Sequence, residues 1–441
     1  MSPNPGAVPY NPNLRFWSDF AEKKRWFLIN DSDDTLGYAS TGPWALPAGS
    51  VFVKHFDYPT RWETFTRTIH GQNVVDRRPV VPSPMSKLET RFLILNDSGT
   101  SYGVSYRWNQ KQTDAMLSDD SGETFSVPIT LDGQPSTIEW QIPSRTACVT
   151  CHTPNAGNAL SINTPQLNHP ADFHGSSGNF VNLLNSAGYM SGVNENPASR
   201  PRHLRPDESN YSLEARVRSY LDVNCAYCHQ DSGTGGGSWD GRGHLTLAQT
   251  GMINAAPVDP PINPGDRLIV PGQPDHSIIY NRLHPNNGYS RMPPLATRET
   301  DYEGLQLLAD WITSEVSPHT TYDQWRLANF GSITSPEGSP DWDADGDSAS
   351  NRYEYLTKTD PHDRTSFWHP TFDLENGKAR YHFTGLSNRS VTAMRSENLL
   401  DWTLWQVPGN DGLPLPEGLE KTLEAPRHAD GEFFRFIIEE R

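Results

Sequence analysis

The sequence lacks the features of a membrane-spanning or nucleic-acid-binding chain. None of its apolar runs approaches the about 18 residues that a transmembrane helix needs. Basic residues are outnumbered, 36 against 53 acidic ones, and the formal net charge of −17 would repel a polyanion such as DNA. The first residues show neither the basic nor the apolar region of a signal peptide. We therefore expect no transmembrane segment and no nucleic acid partner.

Cysteine is also scarce, and its placement is informative. The 441 residues contain four cysteines, all of which belong to two C-x-x-C-H motifs at 148–152 and 225–229. This pattern is the attachment signature of c-type haem, in which two thiols add to one haem and the histidine ligates its iron. Zinc would require further ligands, and a thioredoxin-like site would require a βαβ setting. The sequence predicts two covalently attached haem c groups, held by Cys148, Cys151, His152, Cys225, Cys228 and His229.

Apolar content is sufficient for several folded cores. Hydrophobic residues make up 35% of the chain, which excludes disorder for most of it, and the length suggests about three domains. Short β-branched and aromatic runs predict an N-terminal all-β domain, and helical spacing predicts a mainly α cytochrome c region with two haems. A small C-terminal β-sandwich is expected after an acidic linker. The predicted domains are 1–138 (β-rich), 139–210 (first haem segment), 211–320 (class I cytochrome c-like), 321–364 (acidic calcium-loop linker) and 365–441 (β-sandwich).

The second motif is followed by a candidate for the sixth iron ligand. Met292 lies in an Arg-Met-Pro-Pro sequence at 291–294, and a soft thioether favours Fe(II), as electron carriers require. The order helix, C-x-x-C-H, loops, Met-Pro-Pro and helix resembles a class I cytochrome c. Met252 competes but lacks the proline loop. We expect His229 and Met292 to ligate the second iron.

No such loop follows the first motif, so only His152 is assigned to the first iron. The sixth position stays open among one methionine and several histidines. A five-coordinate iron would permit peroxide chemistry. The candidates are Met190, His55, His169, His174 and His203.

Several short sequence segments support a family resemblance. They resemble the dihaem c-type cytochromes associated with bacterial quinoprotein (glucose/sorbosone-type) dehydrogenases, and they lie at 16–26, 51–56, 88–91, 106–109 and 219–229. The resemblance covers about two thirds of the chain. It implies an electron acceptor or relay with a redox partner such as a quinoprotein dehydrogenase, but not that enzyme's own activity. Because haem c is attached after export, we expect a periplasmic or extracytoplasmic protein whose signal peptide has been removed.

An acidic segment at 343–354 has the spacing of an EF-hand-like calcium loop. It resembles the calcium loops of dockerin and thrombospondin type 3 repeats. Ser348 stands where glycine is usual and would need an unfavourable backbone angle. A solvated acidic linker is the alternative. The predicted ligands of one calcium ion are Asp343, Asp345, Asp347, Asn351, Glu354 and the carbonyl of Ala349.

These observations favour a dihaem c-type cytochrome that relays electrons from an extracytoplasmic dehydrogenase to a downstream acceptor, without catalysis of its own. The alternative is a dihaem peroxidase-type enzyme with one five-coordinate haem. A third hypothesis is a surface-displayed binding protein that uses residues 321–441. The segment after His152 is dominated by Asn, Thr, Pro, Gly and Ser, whereas a peroxidase needs a distal acid–base group. This favours electron transfer.

Overall fold

The chain divides into two compact units. The computed structural model describes residues 6–31, 33–69, 72–283, 288–295, 297–316, 320–426 and 431–441. The first unit comprises residues 1–193, 223–236 and 282–301, and the second comprises 194–222, 237–281 and 302–441. Each unit is therefore built from segments that are distant in sequence.

The first unit is predominantly β. Its strands form a six-stranded sheet in the order β1-β2-β4-β7-β8-β9, a four-stranded sheet in the order β11-β10-β5-β6, and two small pairs, β12-β13 and β14-β3. The strands are β1 Val8–Pro9, β2 Glu22–Leu28, β3 Leu36–Gly37, β4 Val51–Pro59, β5 Arg61–Ile69, β6 Gln72–Pro79, β7 Met85–Leu95, β8 Ser101–Trp108, β9 Ala115–Leu117, β10 Glu123–Leu131, β11 Gln134–Ile142, β12 Pro170–Phe173, β13 Ser176–Asn179 and β14 Met190–Ser191.

Two apolar clusters stabilise this unit. In the six-stranded sheet Phe27 pairs with Phe52 and Phe52 with Leu93, so that all three side chains point to one face. They are buried together with Trp44 and Leu167. The second cluster fills the space beside the four-stranded sheet and contains Tyr58, Trp62, Val127, Ile138 and Trp140.

The predicted mainly α cytochrome c region is wrong. Strand residues make up 31% of the chain and helical residues 17%. The helices of the described residues are short because proline, glycine and asparagine interrupt the helical stretches after a few turns. They are α1 Arg145–Cys148, α2 Thr164–Leu167, α3 Phe180–Ser186, α4 Leu213–Asn224, α5 Ile278–Leu283, α6 Tyr302–Trp311, α7 Tyr322–Phe330 and α8 Asn351–Thr357, with 3₁₀ turns at Pro197–Ser199, Pro274–His276 and Pro336–Gly338 and a π-helical turn at Ile312–Val316.

The second unit combines helices with two small sheets. Ser212 caps α4 by accepting a hydrogen bond from the backbone nitrogen of Ala215 at 3.1 Å. The sheets are three-stranded, in the orders β15-β16-β19 and β18-β17-β20. Trp368, Phe383 and Trp405 are among the residues of their common core. The strands are β15 Thr371–Glu375, β16 Lys378–Thr384, β17 Arg389–Ser396, β18 Thr403–Leu404, β19 Glu420–Pro426 and β20 Phe433–Glu440.

No helix among the described residues is both long and apolar enough to cross a bilayer.

Candidate redox site at the paired C-x-x-C-H motifs

Both C-x-x-C-H motifs fold into the same helical turn. In the first, the carbonyl oxygen of Cys148 accepts hydrogen bonds from the backbone nitrogens of His152 at 3.1 Å and Cys151 at 3.3 Å. In the second, the carbonyl oxygen of Cys225 accepts from His229 at 2.9 Å and from the fourth residue of the motif, Cys228, at 3.1 Å. Residues four apart in such a turn lie on one face. Each motif therefore places its first cysteine and its histidine side by side.

The elements that lead into the two motifs differ in length. The first motif follows the four-residue helix α1, which Ser144 caps by accepting a hydrogen bond from the backbone nitrogen of Ala147. The second follows the twelve-residue helix α4, which ends at Asn224, directly before Cys225. The side chain of Asn224 accepts a 2.9 Å hydrogen bond from the backbone nitrogen of Trp17. Both motifs are thus fixed at their N-terminal side.

The structure brings the two motifs into contact within the first unit. The Sγ atoms of Cys151 and Cys228 are 3.5 Å apart, although 77 residues separate them in sequence. The hydroxyl of Thr234 donates to the carbonyl oxygen of Thr150 at 2.6 Å. A third link joins the side chain of Asn155 to the carbonyl oxygen of Ser232 at 2.8 Å. The motifs form one site.

The thiol contact separates the acidities of the two cysteines. The hydrogen bond from Cys151 lowers the pKa of Cys228 to about 6. The same bond, together with burial, raises the pKa of Cys151 above its usual range. Burial also raises the pKa of Cys148. The contact therefore makes Cys228 the more acidic and Cys151 the less acidic thiol of the pair.

The histidines are held in the neutral form. Nδ1 of His152 is 2.6 Å from the carbonyl oxygen of Asn158, to which it donates as the N–H tautomer. Burial, reinforced by the charge of Lys54, lowers the pKa of His152 to about 4. Burial lowers the pKa of His229 as well, opposed by a hydrogen bond with the backbone of Gly236. A neutral imidazole whose Nδ1 is bonded to a carbonyl has its Nε2 lone pair available for a metal or a proton.

A glycine-rich turn folds back over the second motif. The backbone nitrogen of Gly235 donates to the carbonyl oxygen of Cys228 at 2.8 Å. A Cβ atom on Gly235 would lie 2.7 Å from Nδ1 of His229, and one on Gly233 would lie 2.2 Å from the carbonyl oxygen of Cys228. Only glycine allows these approaches. The turn therefore encloses the second motif from its C-terminal side.

The six-stranded sheet covers the first motif instead. A Cβ atom on Gly103 of β8 would lie 3.2 Å from Sγ of Cys148. Two residues earlier on the same strand, the hydroxyl of Ser101 donates to the carbonyl oxygen of His152 at 3.2 Å. Residues two apart on a strand point to the same face. This face of β8 is therefore the surface on which the first motif lies.

The same sheet face carries basic residues that the sequence analysis missed. Arg25 on β2 is directly opposite Lys54 on β4, and Lys54 is opposite Arg91 on β7. Lys23 lies two residues before Arg25 and shares its face. The available signal was the run of basic residues from Lys23 to Arg25 directly before apolar residues in one strand. Lysine and arginine at core-facing positions of a strand are rare enough to indicate a binding role.

The thiol contact corrects the predicted cofactor set. Two haem c groups, each attached to its own motif, would direct Cys151 and Cys228 to different porphyrins. In the structure these two sulfur atoms are directed at each other and share a hydrogen bond. The prediction of two independent haem sites is wrong for this arrangement, because the second cysteine of each motif belongs to a single shared centre.

Met292 lies in the first unit, as His229 does. It is half-buried, and its backbone nitrogen donates to the carbonyl oxygen of Arg282 at 3.0 Å. Farther along the segment 282–301, Glu299 pairs with Arg77 of β6 through contacts of 2.5 and 3.0 Å. This pair anchors the segment to the four-stranded sheet. Ligation of iron by Met292 stays a prediction.

The other candidate ligands differ in how their ring nitrogens or sulfur are engaged. Nδ1 and Nε2 of the buried His55 contact Thr90 and Asp57 at 2.8 and 3.2 Å. The two ring nitrogens of His169 lie 2.8 and 2.7 Å from backbone carbonyl oxygens. Met190 is buried in the apolar cluster of the six-stranded sheet. His174 is exposed at the turn between β12 and β13, and His203 belongs to the second unit and contacts Asp222 at 2.9 Å.

The acidic segment assembles only part of the predicted calcium site. Carboxylate oxygens of Asp343, Asp345 and Asp347 come within 4.8 Å of one another. Glu354 on α8 is buried and is not in this group, although the charges of Asp345, Asp347 and Asp343 add to burial in raising its pKa to about 7. The calcium ion is removed from the cofactor set together with the two haems, whereas the grouping of the six residues around one centre stays a prediction.

Three local features of this segment explain its conformation. Ser348 has a φ of 83°, the left-handed conformation that the sequence indicated. Asp343 accepts hydrogen bonds from the backbone nitrogens of Gly346 and Ser348 at 2.7 and 2.9 Å. The side-chain amide nitrogen of Asn351 donates to the backbone carbonyl oxygens of Glu337 and Ser339. Hydrogen bonds within the chain therefore order this loop.

Comparison with protein-family models, with curated proteins and with solved structures gives no match to this chain.

Proposed function

We propose that this chain is an extracytoplasmic electron-transfer protein whose redox site is formed jointly by the two C-x-x-C-H motifs. In this role it relays electrons from a dehydrogenase to a downstream acceptor. The resemblance of the chain to dihaem c-type cytochromes supports this function, and so does the predicted need for export. A redox partner such as a quinoprotein dehydrogenase is part of the proposal.

One observation carries the proposal: the Sγ atoms of Cys151 and Cys228 lie 3.5 Å apart. All the cysteines of the chain thereby belong to one location, next to two neutral histidines. Cysteine thiols take part in redox reactions themselves. Thiolates and imidazoles also ligate the metals that transfer electrons. A purely structural role would not require both motifs to meet.

The residues of the site bear on the electron-carrying group in two ways. The histidines fit an axial-ligand role, since Nδ1 of His152 is bonded to a backbone carbonyl oxygen. The paired second cysteines do not fit two independently attached porphyrins.

The test is an anaerobic potentiometric titration of the full chain, produced with export and cofactor maturation. We expect reversible uptake of electrons by the wild type, and loss of most of that uptake in the double variant Cys151→Ser/Cys228→Ser. Mass spectrometry of the denatured chain identifies any group that stays attached to the motifs.

The matched control is Met116→Leu, which changes a sulfur-containing side chain on β9 that is 73% exposed. This variant should titrate like the wild type. A wild-type chain that takes up no electrons reversibly would contradict the proposed function, and so would a double variant that titrates normally.

A further inference from the structure

The face of the six-stranded sheet next to the first motif carries an excess of positive charge. Arg25, Lys54 and Arg91 occupy directly opposed positions on three adjacent antiparallel strands. Side chains at such positions lie about 5 Å apart at Cβ, and like charges there repel one another. A folded protein keeps such a row only if something offsets the repulsion.

The chain itself offsets little of this charge. Glu89 pairs with Arg91 through contacts of 2.8 and 2.5 Å and also accepts a 2.9 Å hydrogen bond from the indole of Trp140. The carboxylate of Glu89 therefore already has partners for its oxygens, and the residue is fully buried. Among the described residues, no ion pair with a carboxylate involves Lys23, Arg25 or Lys54.

Arg25 is the clearest sign of a missing partner. It is 5% exposed, and its Nε and Nη2 atoms are buried without a hydrogen-bond partner among the described residues. Leaving guanidinium donors unpaired in the interior strongly destabilises a fold. The donors are thus poised for an acceptor that carries negative charge.

The other basic side chains converge on the same place. Nζ of Lys23 donates to the carbonyl oxygen of Phe16 at 2.5 Å. Nζ of Lys54 lies 5.4 Å from the ring centroid of Phe16 and 5.8 Å from that of Phe56. The charges of Arg25 and Arg91 add to burial in lowering the pKa of Lys54 to about 7. An anion bound at the row would reverse this effect.

We propose that Arg25, Lys54 and Arg91, together with Lys23, form an anion-binding site beside the first C-x-x-C-H motif, and that this site takes carboxylate groups. The bidentate contact of Arg91 with Glu89 shows that the row already accommodates one planar carboxylate. The carboxylates come from a free organic acid. The proposal does not rest on electron transfer, because an anion can bind whether or not the thiols are redox-active.

The experiment compares Lys54→Met with Lys24→Met in the full chain. Lys24 adjoins Arg25 on β2 but points to the opposite sheet face, where it pairs with Asp57 at 2.8 Å. The melting temperature of each protein is measured as purified, with citrate as the probe and with sodium chloride at matched ionic strength. Isothermal titration calorimetry measures citrate binding directly.

If the site binds free carboxylates, citrate raises the melting temperature of the wild type more than chloride does. Lys54→Met then weakens citrate binding by about tenfold, which corresponds to one charged contact, whereas Lys24→Met binds as the wild type does.

The overturning result is a wild type indifferent to citrate, or a Lys54→Met variant that binds citrate as the wild type does. Without a bound anion, removal of one cation from the row relieves repulsion and stabilises the sheet. Arg25→Gln provides a second variant, with the same expectations, should Lys54→Met fail to fold. Electron uptake by the thiol site is measured separately, so the two proposals fail independently.

Discussion

The two C-x-x-C-H motifs share a local conformation but lie in different surroundings. Each forms one helical turn in which the backbone nitrogen of the histidine donates to the carbonyl oxygen of the first cysteine. The first motif lies against a sheet face that carries Lys54 and Arg91. The second is enclosed by a glycine turn of its own following residues. The comparison shows that five residues specify the turn, whereas the chemistry of the cysteines and histidines depends on what packs around it.

The largest expected effect comes from the glycine turn over the second motif. A methyl group on Gly233 would lie 2.2 Å from the carbonyl oxygen of Cys228, so the backbone must shift. We expect Gly233→Ala to lower the free energy of unfolding by roughly 3 kcal/mol. Gly236→Ala is the matched control, since a Cβ atom there meets nothing within 4 Å. Urea denaturation of both variants measures the difference, and equal stabilities would contradict the proposed role of the turn.

The helix that leads into the second motif has a pH-dependent contribution to stability. Burial raises the pKa of Glu214 in α4 from 4.5 to about 8. The folded state therefore holds this proton more tightly than the unfolded state, and the stabilisation is present below pH 4.5 and lost as the pH rises through about 8. Glu214→Gln should flatten the decline in stability between pH 5 and pH 8.

Denaturation curves at several pH values measure this effect, with Glu303→Gln as the control. Glu303 lies in the first turn of α6 and is exposed. Its replacement should leave the pH dependence unchanged. An unaltered slope in Glu214→Gln would show that the carboxyl group of Glu214 is ionised in the folded state.

The contribution of the first motif to stability should decrease at acid pH rather than at alkaline pH. The pKa of His152 is lowered from 6.5 to about 4, so the unfolded state takes up the proton first as the pH falls. The contribution of the neutral imidazole is present above pH 6.5 and lost as the pH falls through 4. His152→Gln should therefore reduce the acid sensitivity of the first unit. We expect a smaller reduction in His229→Gln, and none in the exposed His174→Gln, when stability is measured between pH 7 and pH 4.

The smallest effect is expected where the sheet contacts the first motif. A methyl group on Gly103 would lie 3.2 Å from Sγ of Cys148, a contact that a shift of a few tenths of an ångström relieves. Gly103→Ala should cost about 1 kcal/mol. It should cost less than Gly233→Ala, because a sulfur atom on a side chain yields more readily than a backbone carbonyl. Thermal denaturation monitored by circular dichroism compares the stabilities of the two variants. A larger loss of stability in Gly103→Ala than in Gly233→Ala would show that the sheet holds its motif more rigidly than the turn does.

The sequence by itself determined the local features of this protein. Cysteine and histidine spacing located both motifs, because each motif depends on hydrogen bonds between residues a few positions apart. The left-handed conformation of Ser348 was foreseen for the same reason. Only the tertiary structure decided that Cys151 meets Cys228 and that Arg25, Lys54 and Arg91 form a row. Such contacts follow from strand order and register over many tens of residues. The prediction of a mainly α region failed for a related reason, because short helix-forming stretches between prolines and glycines do not determine how much of a region becomes helical.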